Sequence, residues 1–423
     1  LEGVWQVLVS NFTVLRKRDM RIYLTGNAIS LVGDWMQQTA QAWVVWQLTH
    51  NATALGVVAF FSQLPFFLFG PWVGVVSDRY DRRKILIVTQ VLIMSFAFIL
   101  AFLVQSNILR LWHVYILAFL LGVVSAFDVT AEQAFIGDIA GDGNIRKAIA
   151  LNNSLTQLTR LVGPALAGYL IAQIGVATSF WVNGVSILAC IFCLLAVRSR
   201  STKAATPGRG MQQFREGWRF FIRHPLLRLI VVFASVQAFF GLSTIQLLPA
   251  IASVVLKGDA NTLGRLLGAA GGGALVGILV VMPFVERIKR PCMAIGGALI
   301  WSGVWYAAFS LTDRLWIAMI CQFMTSLGAA NVVTLSIGLS QELTPPGMRA
   351  RIVSVFLMII FGLQPVASYL IGAGADRIGL QPMVLINGVM MVLVPVLLLT
   401  IPRLRQLRRG AREEEVKDHC VGF

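Results

Sequence analysis

The chain repeats one pattern from end to end: a run of about twenty or more mostly apolar residues, a short polar break, then another run. Twelve such runs are read, at 22–48, 54–77, 85–105, 112–135, 148–173, 178–197, 229–256, 263–285, 293–311, 315–339, 352–375 and 382–401. Each is long enough for a helix to cross the roughly 30 Å hydrocarbon layer of a bilayer. A helix satisfies its own backbone hydrogen bonds there without help from neighbouring segments. The pattern therefore predicts an all-α membrane protein with twelve transmembrane helices. One longer polar interval, 198–228, separates six runs from six. Its second part predicts an amphipathic helix, with Phe214, Trp218 and Phe221 on one side and Arg215, Arg219 and Arg223 elsewhere. The expected organisation is a lead at 1–21, a first six-helix bundle at 22–197, a basic linker at 198–228, a second bundle at 229–401 and a tail at 402–423. No cleavable signal-peptide pattern opens the chain.

Charged residues make up 13% of the chain and hydrophobic ones 57%. That is about half the charge of an ordinary soluble domain, and it excludes the soluble globular class. The net charge of +16 would suggest a nucleic-acid partner in a soluble protein. Here its placement gives another explanation. If the first residues are cytoplasmic, every basic residue falls on the cytoplasmic side except Arg110, Lys257, Arg265, Arg314, Arg377 and the intramembrane Arg160. Such asymmetry calls for an even number of crossings with both termini inside. The excess is a topology signal, aided by anionic membrane lipids, and no nucleic-acid partner is implied. The five cysteines form no disulfide framework, and Cys190 and Cys193 lie inside an apolar run where packing is expected. Trp43, Trp46, Trp72, Trp112, Trp181 and Trp316 lie near span ends and are expected to anchor at the interfaces.

Ionisable side chains inside spans are costly and mark function. Four lie deep: Asp34 in the first span, Asp128 and Glu132 in the fourth, and Arg160 in the fifth. Asp128 and Glu132 are four apart and share a helix face. Three acids and one base cannot all stay charged comfortably in a low-dielectric site. One carboxyl is expected to carry a proton across, with Arg160 as counter-ion; the alternative is a static salt bridge. Asn27, Asp34, Gln38 and Gln41 form a polar stripe expected to face a substrate cavity. In the second half Gln237, Gln246, Gln322, Asn331 and Gln364 are neutral candidates for substrate contact, with interhelical packing as the alternative.

The halves echo each other. Gly163-Pro164, Tyr169-Leu170-Ile171 and Asn183-Gly184 match Gln364-Pro365, Tyr369-Leu370-Ile371 and Asn387-Gly388. Internal repetition of this kind places a transporter's site at the repeat interface.

The segment Gly74-Val-Val-Ser-Asp78-Arg79-Tyr-Asp-Arg82-Arg83, between the second and third runs, resembles the signature G-x-L-A-D-R-x-G-R-R of the major facilitator superfamily, departing from it at Val76, Ser77 and Asp81. Gly33-Asp34-Trp35-Met36-Gln37, Ala126-Phe127-Asp128, Arg160 to Gly168, and Arg223-His224-Pro225-Leu226-Leu227-Arg228 are similar to the enterobactin-exporter-like group, the transmembrane secretion effectors, near the drug:proton antiporter-3 branch. The resemblance implies the major facilitator fold of two pseudo-symmetric six-helix bundles. It implies proton-coupled export of amphipathic small molecules such as drugs or siderophores, in the inner membrane, by a monomer. It also implies a cytoplasmic gate at Gly74, Asp78, Arg79, Arg82 and Arg83. Gly163, Pro164 and Gly168 resemble part of the fifth-span antiporter motif and are expected to pack helices closely, although Ala150 and Thr159 replace its earlier glycines. After Phe127-Asp128 the group has Pro-Ala-Arg-Gln, whereas here Thr130-Ala131-Glu132-Gln133 puts an acid where an arginine is expected.

A lysophospholipid translocator of the same plan is an alternative function, and a transport-dead membrane sensor is one from another class. The sequence has no H-E-x-x-H, no G-x-S-x-G and no Walker lysine beside the glycines at 268–277. No metal, cofactor or enzymatic activity is expected, and an ATP-driven pump is disfavoured.

Overall fold

The computed structural model describes residues 13–141, 144–197, 210–285, 288, 290–345 and 348–400, with the backbone alone for 70–72, 74–79, 146, 210–214 and 350. Six long helices precede the linker: α1 (Arg18–Thr49), α2 (Ala52–Arg79), α3 (Arg82–Gln105), α4 (Leu111–Ala140), α5 (Ile145–Gln173) and α6 (Val176–Ala196). Six follow it: α7 (Pro225–Val255), α8 (Ala260–Val285), α9 (Pro291–Ser310), α10 (Leu315–Glu342), α11 (Arg349–Ile378) and α12 (Leu380–Thr400). Among the described residues ten of these are long and apolar enough to cross a membrane. The other two, α1 and α5, have the length but are more polar, because they carry Asn27, Asp34, Gln37, Gln41, Asn152 and Arg160. The chain is a multi-pass membrane protein built on twelve helices.

Short breaks end the helices. His50, at φ 47°, closes α1 in the left-handed region, and Asn51 then caps α2 by accepting from Ala54 N at 3.0 Å. Asp81 caps α3 and Asp259 caps α8 in the same way. Gly141 (φ 69°) and Gly379 (φ 97°) end α4 and α11 in conformations that suit a residue without Cβ. The helices are apolar around much of their circumference. Phe102, Phe192, Leu195, Phe284 and Leu397 point outward, as lipid-facing side chains do. Trp112, Trp181 and Trp316 are also exposed, as interfacial anchors would be. Trp43 and Trp46 are not: they are 7% and 5% exposed and pack in the core, so the expected anchor role does not hold for them.

Within the first six helices α1 packs on α5 and α6, α3 on α4 and α6, and α2 on α4. The second six repeat this with α9 on α10 and α12, and α8 on α10. The two groups meet along two seams, α2 with α11 and α5 with α8. Glycines make both seams close. A Cβ on Gly168 would come within 2.9 Å of Gly264 Cα, and one on Gly271 within 2.7 Å of Leu161 Cα. Small residues let helices approach where lipid supplies no hydrophobic drive between them.

The α7 helix is not uniform. It changes to π winding at Gln237–Leu242, to 3-10 at Ser243–Leu247 and to π again at Ile251–Val255. Such irregular turns free backbone carbonyls in mid-membrane. One is used at once: Tyr306 on α9 donates to Gly241 O at 3.2 Å. The linker helix, Gly210–Arg223, exposes Arg215, Arg219, Arg223 and Trp218, buries Phe221, and is tied to α11 by an ion pair between Glu216 and Arg351.

At the end of the first group that carries the linker, Arg82 on α3 pairs with Asp138 on α4 at 2.7 Å, with both side chains largely buried. Truncating one side of a buried pair strands the other charge. Arg82→Ala is expected to lower stability by roughly 1–3 kcal/mol. The check is the melting temperature in detergent, and an unchanged midpoint would show that the pair contributes nothing.

Candidate functional site

The deep acids lie within the first six helices, where α1, α3, α5 and α6 bring neutral polar side chains to them. Glu132 on α4 accepts on one oxygen from Tyr23 OH (3.1 Å) and Asn27 Nδ2 (2.9 Å), both on α1, and from Asn152 Nδ2 (3.2 Å) on α5. Asn27 also donates to Asn152 Oδ1 at 2.9 Å, which closes the ring of donors. One turn earlier on α4, Asp128 accepts from the Thr89 hydroxyl and from Gln90 Nε2, the latter 3.3 Å from both carboxylate oxygens. On α1, Asp34 accepts from Asn183 Nδ2 of α6 at 3.2 Å, and the same amide donates to Gln37 Oε1 at 2.9 Å.

Among the described residues the ion pairs are Arg82–Asp138 and Arg351–Glu216. None of the three deep acids has one. Arg160, expected as their counter-ion, lies instead over the ring of Trp35 with its guanidinium carbon 5.3 Å from the centroid. The aromatic face offers a cation a partner without a carboxylate. Its position follows from α5. A Cβ on Gly163 would stand 2.5 Å from Trp35 Cβ and 2.9 Å from Val32 O, so only glycine lets α5 lie this close to α1. Pro164, inside α5, cannot donate to the carbonyl of Arg160 one turn back. That carbonyl faces the α8 seam, 2.8 Å from where a Cβ on Gly271 would be.

The polar stripe on α1 differs from expectation by one residue. Asn27 and Gln41 are buried, but Gln38 is exposed, and Gln37 holds the inward place beside Asn183. Adjacent residues on a helix point about 100° apart, so one inward position excludes the next. In the second half Gln237, Gln322 and Asn331 are each 1% exposed and lie between helices. Gln322 sits beside the Tyr306 hydroxyl, yet neither end of its amide completes a hydrogen bond. Gln237 Oε1 and Asn331 Oδ1 are likewise unpartnered, while Asn331 Nδ2 turns back to Leu327 O at 2.7 Å. Gln246 and Gln364 are half-buried. These groups are distributed over α7, α10 and α11.

Of the expected gate residues, Gly74, Asp78 and Arg79 have side chains outside the described set. Arg82 pairs with Asp138 on α4, and Arg83 donates to Leu194 O (2.7 Å) and Leu195 O (2.6 Å) at the carboxyl end of α6. Both arginines thus hold α3 to its own bundle in this structure, and neither reaches the second half.

The halves are built alike around one difference. Asn183 on α6 reaches α1, and its repeat partner Asn387 on α12 reaches α7, where it donates to Thr244 Oγ1 at 2.8 Å. The first half has an acid at this junction and the second a hydroxyl.

Comparison with known proteins decides the family. The family model described as transmembrane secretion effector matches residues 9–419. The chain belongs to the transmembrane secretion effector family. It is 22% identical to the staphyloferrin A transporter of Staphylococcus aureus, over 92% of this chain and 97% of that one. It is 22% identical to macrolide efflux protein A of Streptococcus pyogenes, over 90% and 95%. Among solved structures, a bacterial homologue of the iron transporter ferroportin superposes with a TM-score of 0.69 at 15% identity, over 92% of this chain and 99% of that one. The fold is that of the major facilitator superfamily, and this member of the family is a membrane transporter.

Asn152, Asn183, Thr89 and Gln90, which hold the acids, stand outside the candidate site residues of the sequence reading. The echo of Asn183-Gly184 in Asn387-Gly388 is the one sequence signal that pointed to any of them. Gly33 supports this arrangement. A Cβ there would collide with Ser186 Oγ and Asn183 Oδ1 and stand 3.0 Å from Asn183 Cα. Gly33→Val is expected to push Asn183 away from Asp34, at a cost of roughly 1–3 kcal/mol from overpacking. Transport should fall with it, as measured by initial rate per folded protein. A variant with wild-type rate and melting temperature would show that α6 can yield.

Proposed function

We propose that the chain exports an amphipathic small molecule by alternating access of its two six-helix bundles, 22–197 and 229–401, and exchanges it for protons carried by Asp34, Asp128 and Glu132. The observation that carries this reading is the set of three part-buried carboxyl groups in one bundle, each held by neutral amide or hydroxyl donors and, among the described residues, none by a cation. A buried charge without a counter-charge is costly, so charge enters or leaves such a site together with a proton. Arg160, over Trp35, is free to meet an anionic group of the substrate or a carboxylate in another state of the cycle. The names of the relatives, a siderophore transporter and a macrolide efflux protein, support an amphipathic or polar organic substrate. The buried amides of Gln237 and Gln322 suit its hydrogen-bonding groups once the second bundle moves.

In this reading the protein works as a monomer in the inner membrane, with both termini and the basic linker on the cytoplasmic side, where anionic lipid head groups meet the linker arginines. Asp78 and Arg79 belong to a gate that closes the cytoplasmic face in the opposite state. The chain performs no catalysis on its substrate and uses no metal, cofactor or nucleic acid.

The test uses inverted membrane vesicles with an acid lumen. A macrolide, a hydroxamate or carboxylate siderophore, and a lysophospholipid are offered in parallel. Accumulation of one of the first two, lost when a protonophore removes the pH gradient, is the expected result. Transport of the lysophospholipid alone moves the reading to lipid translocation. Exchange that ignores the gradient removes proton coupling.

A further inference from the structure

The face opposite the linker carries a contact between the halves that the substrate and proton site does not use. Asp376 lies at the end of α11, and its carboxylate reaches the first turn of α2 in the other bundle. Oδ1 accepts from Ala52 N at 2.8 Å, Oδ2 accepts from Thr53 N at 2.7 Å, and the Thr53 hydroxyl donates to Oδ2 as well. Two of the first backbone donors of α2 are therefore satisfied by a residue more than 320 positions away in the chain. A carboxylate at a helix N-terminus gains from the charge-assisted bonds and from the helix dipole together.

The seam below brings the two groups into register. A Cβ on Gly372 would lie 2.5 Å from Ala52 O, and one on Gly56 would strike the backbone of Ser368 and stand 3.1 Å from Tyr369 Cα. Deeper along the same pair of helices Phe66 stacks on Phe361 with ring centroids 6.0 Å apart. The α2 helix also has a cap of its own: Asn51 takes Ala54 N at 3.0 Å. The donors are thus divided between the chain's own cap and the other bundle. Asn51 is placed to keep the helix end capped without the Asp376 bonds.

We infer that Asp376 is a latch that holds the two bundles closed on the face opposite the linker, and that its release is part of each opening towards that side. The inference rests on alternating access as proposed above, although not on the identity of the substrate or on proton coupling.

Pulsed electron–electron spin distances test it. Labels at Ser106→Cys, after α3, and Asp313→Cys, before α10, report the latch face. Labels at Lys84→Cys and Gln341→Cys report the other. All are exposed positions, and the five native cysteines are replaced in the background. Asp376→Ala is expected to raise the long-distance population of the Ser106–Asp313 pair by about threefold or more and to shorten the Lys84–Gln341 pair in step, as a two-state shift requires. Asp376→Asn, which keeps one acceptor, should fall between, and Thr53→Ala should give a smaller shift in the same direction. Distance distributions unchanged in all three variants overturn the latch, and so does a lowered melting temperature with no opposed shift of the two pairs. Variants that shift both pairs as expected in a protein that moves none of the offered substrates would count against the proposed function instead, since the gate readout needs no substrate.

Discussion

Glu132→Gln is expected to abolish gradient-driven export while leaving the bundle folded. The amide is nearly isosteric with the acid and keeps an oxygen for Tyr23 OH, Asn27 Nδ2 and Asn152 Nδ2, which all converge on a single carboxylate oxygen. What disappears is the exchangeable proton. Accumulation in acid-lumen vesicles should drop on the order of tenfold or more, the factor that about 1.4 kcal/mol carries. Exchange of labelled for unlabelled substrate at equal pH should remain, since it needs no net proton movement. Glu132 is chosen over its neighbours because it draws three donors from two other helices, so a change in its charge is felt by α1, α4 and α5 at once. Asp34→Asn and Asp128→Asn should each give smaller losses. Accumulation by Glu132→Gln equal to wild type would move the coupling to one of these two.

Gly168→Leu should give the second large effect, by a different route. Its Cβ would stand 2.7 Å from Ala260 O and 2.9 Å from Gly264 Cα, and all the nearest atoms belong to the α8 backbone, which has no rotamer to change. The seam between α5 and α8 can then close only with strain. Overpacking of this kind costs roughly 1–3 kcal/mol, a factor of about 5 to 150 in the balance between two states. The bundles themselves bury the same residues as before, so the variant should insert and run as a monodisperse peak. Its transport rate should fall by about tenfold or more if each cycle closes this seam. Gly264→Leu, from the other side of the same contact, should behave alike. Rates within a factor of two of wild type for both variants would mean that the seam is not remade during the cycle.

The helices were legible because a bilayer imposes a length and a composition on each crossing. The deep acids were legible because a charge in a span has no cheap structural excuse. Their partners were harder. Asn152 and Asn183 are neutral, and an amide in a span looks the same whether it packs or binds. Gln37 and Gln38 differ only in helix rotation, which the neighbouring helices fix and the sequence does not print. The place of Arg160, which makes no ion pair with the acids in this structure, was hidden for the same reason. Gly163 brings α5 so close to α1 that the guanidinium meets the Trp35 ring first. The breaks in α7 had no warning either, since Gln237 to Leu247 reads as ordinary helix. Asp376 lay at the end of a span, where charge is common, and gained meaning only when α2 was found against it.

Proton release on substrate binding tests the central claim most directly. A macrolide is added to purified protein in weakly buffered detergent, and the bulk pH is followed with an indicator dye. Wild type should release protons in proportion to the bound macrolide, and Glu132→Gln should bind it with little or no release. Binding without release in wild type, or undiminished release after Asp34, Asp128 and Glu132 have all been replaced by their amides, would contradict it.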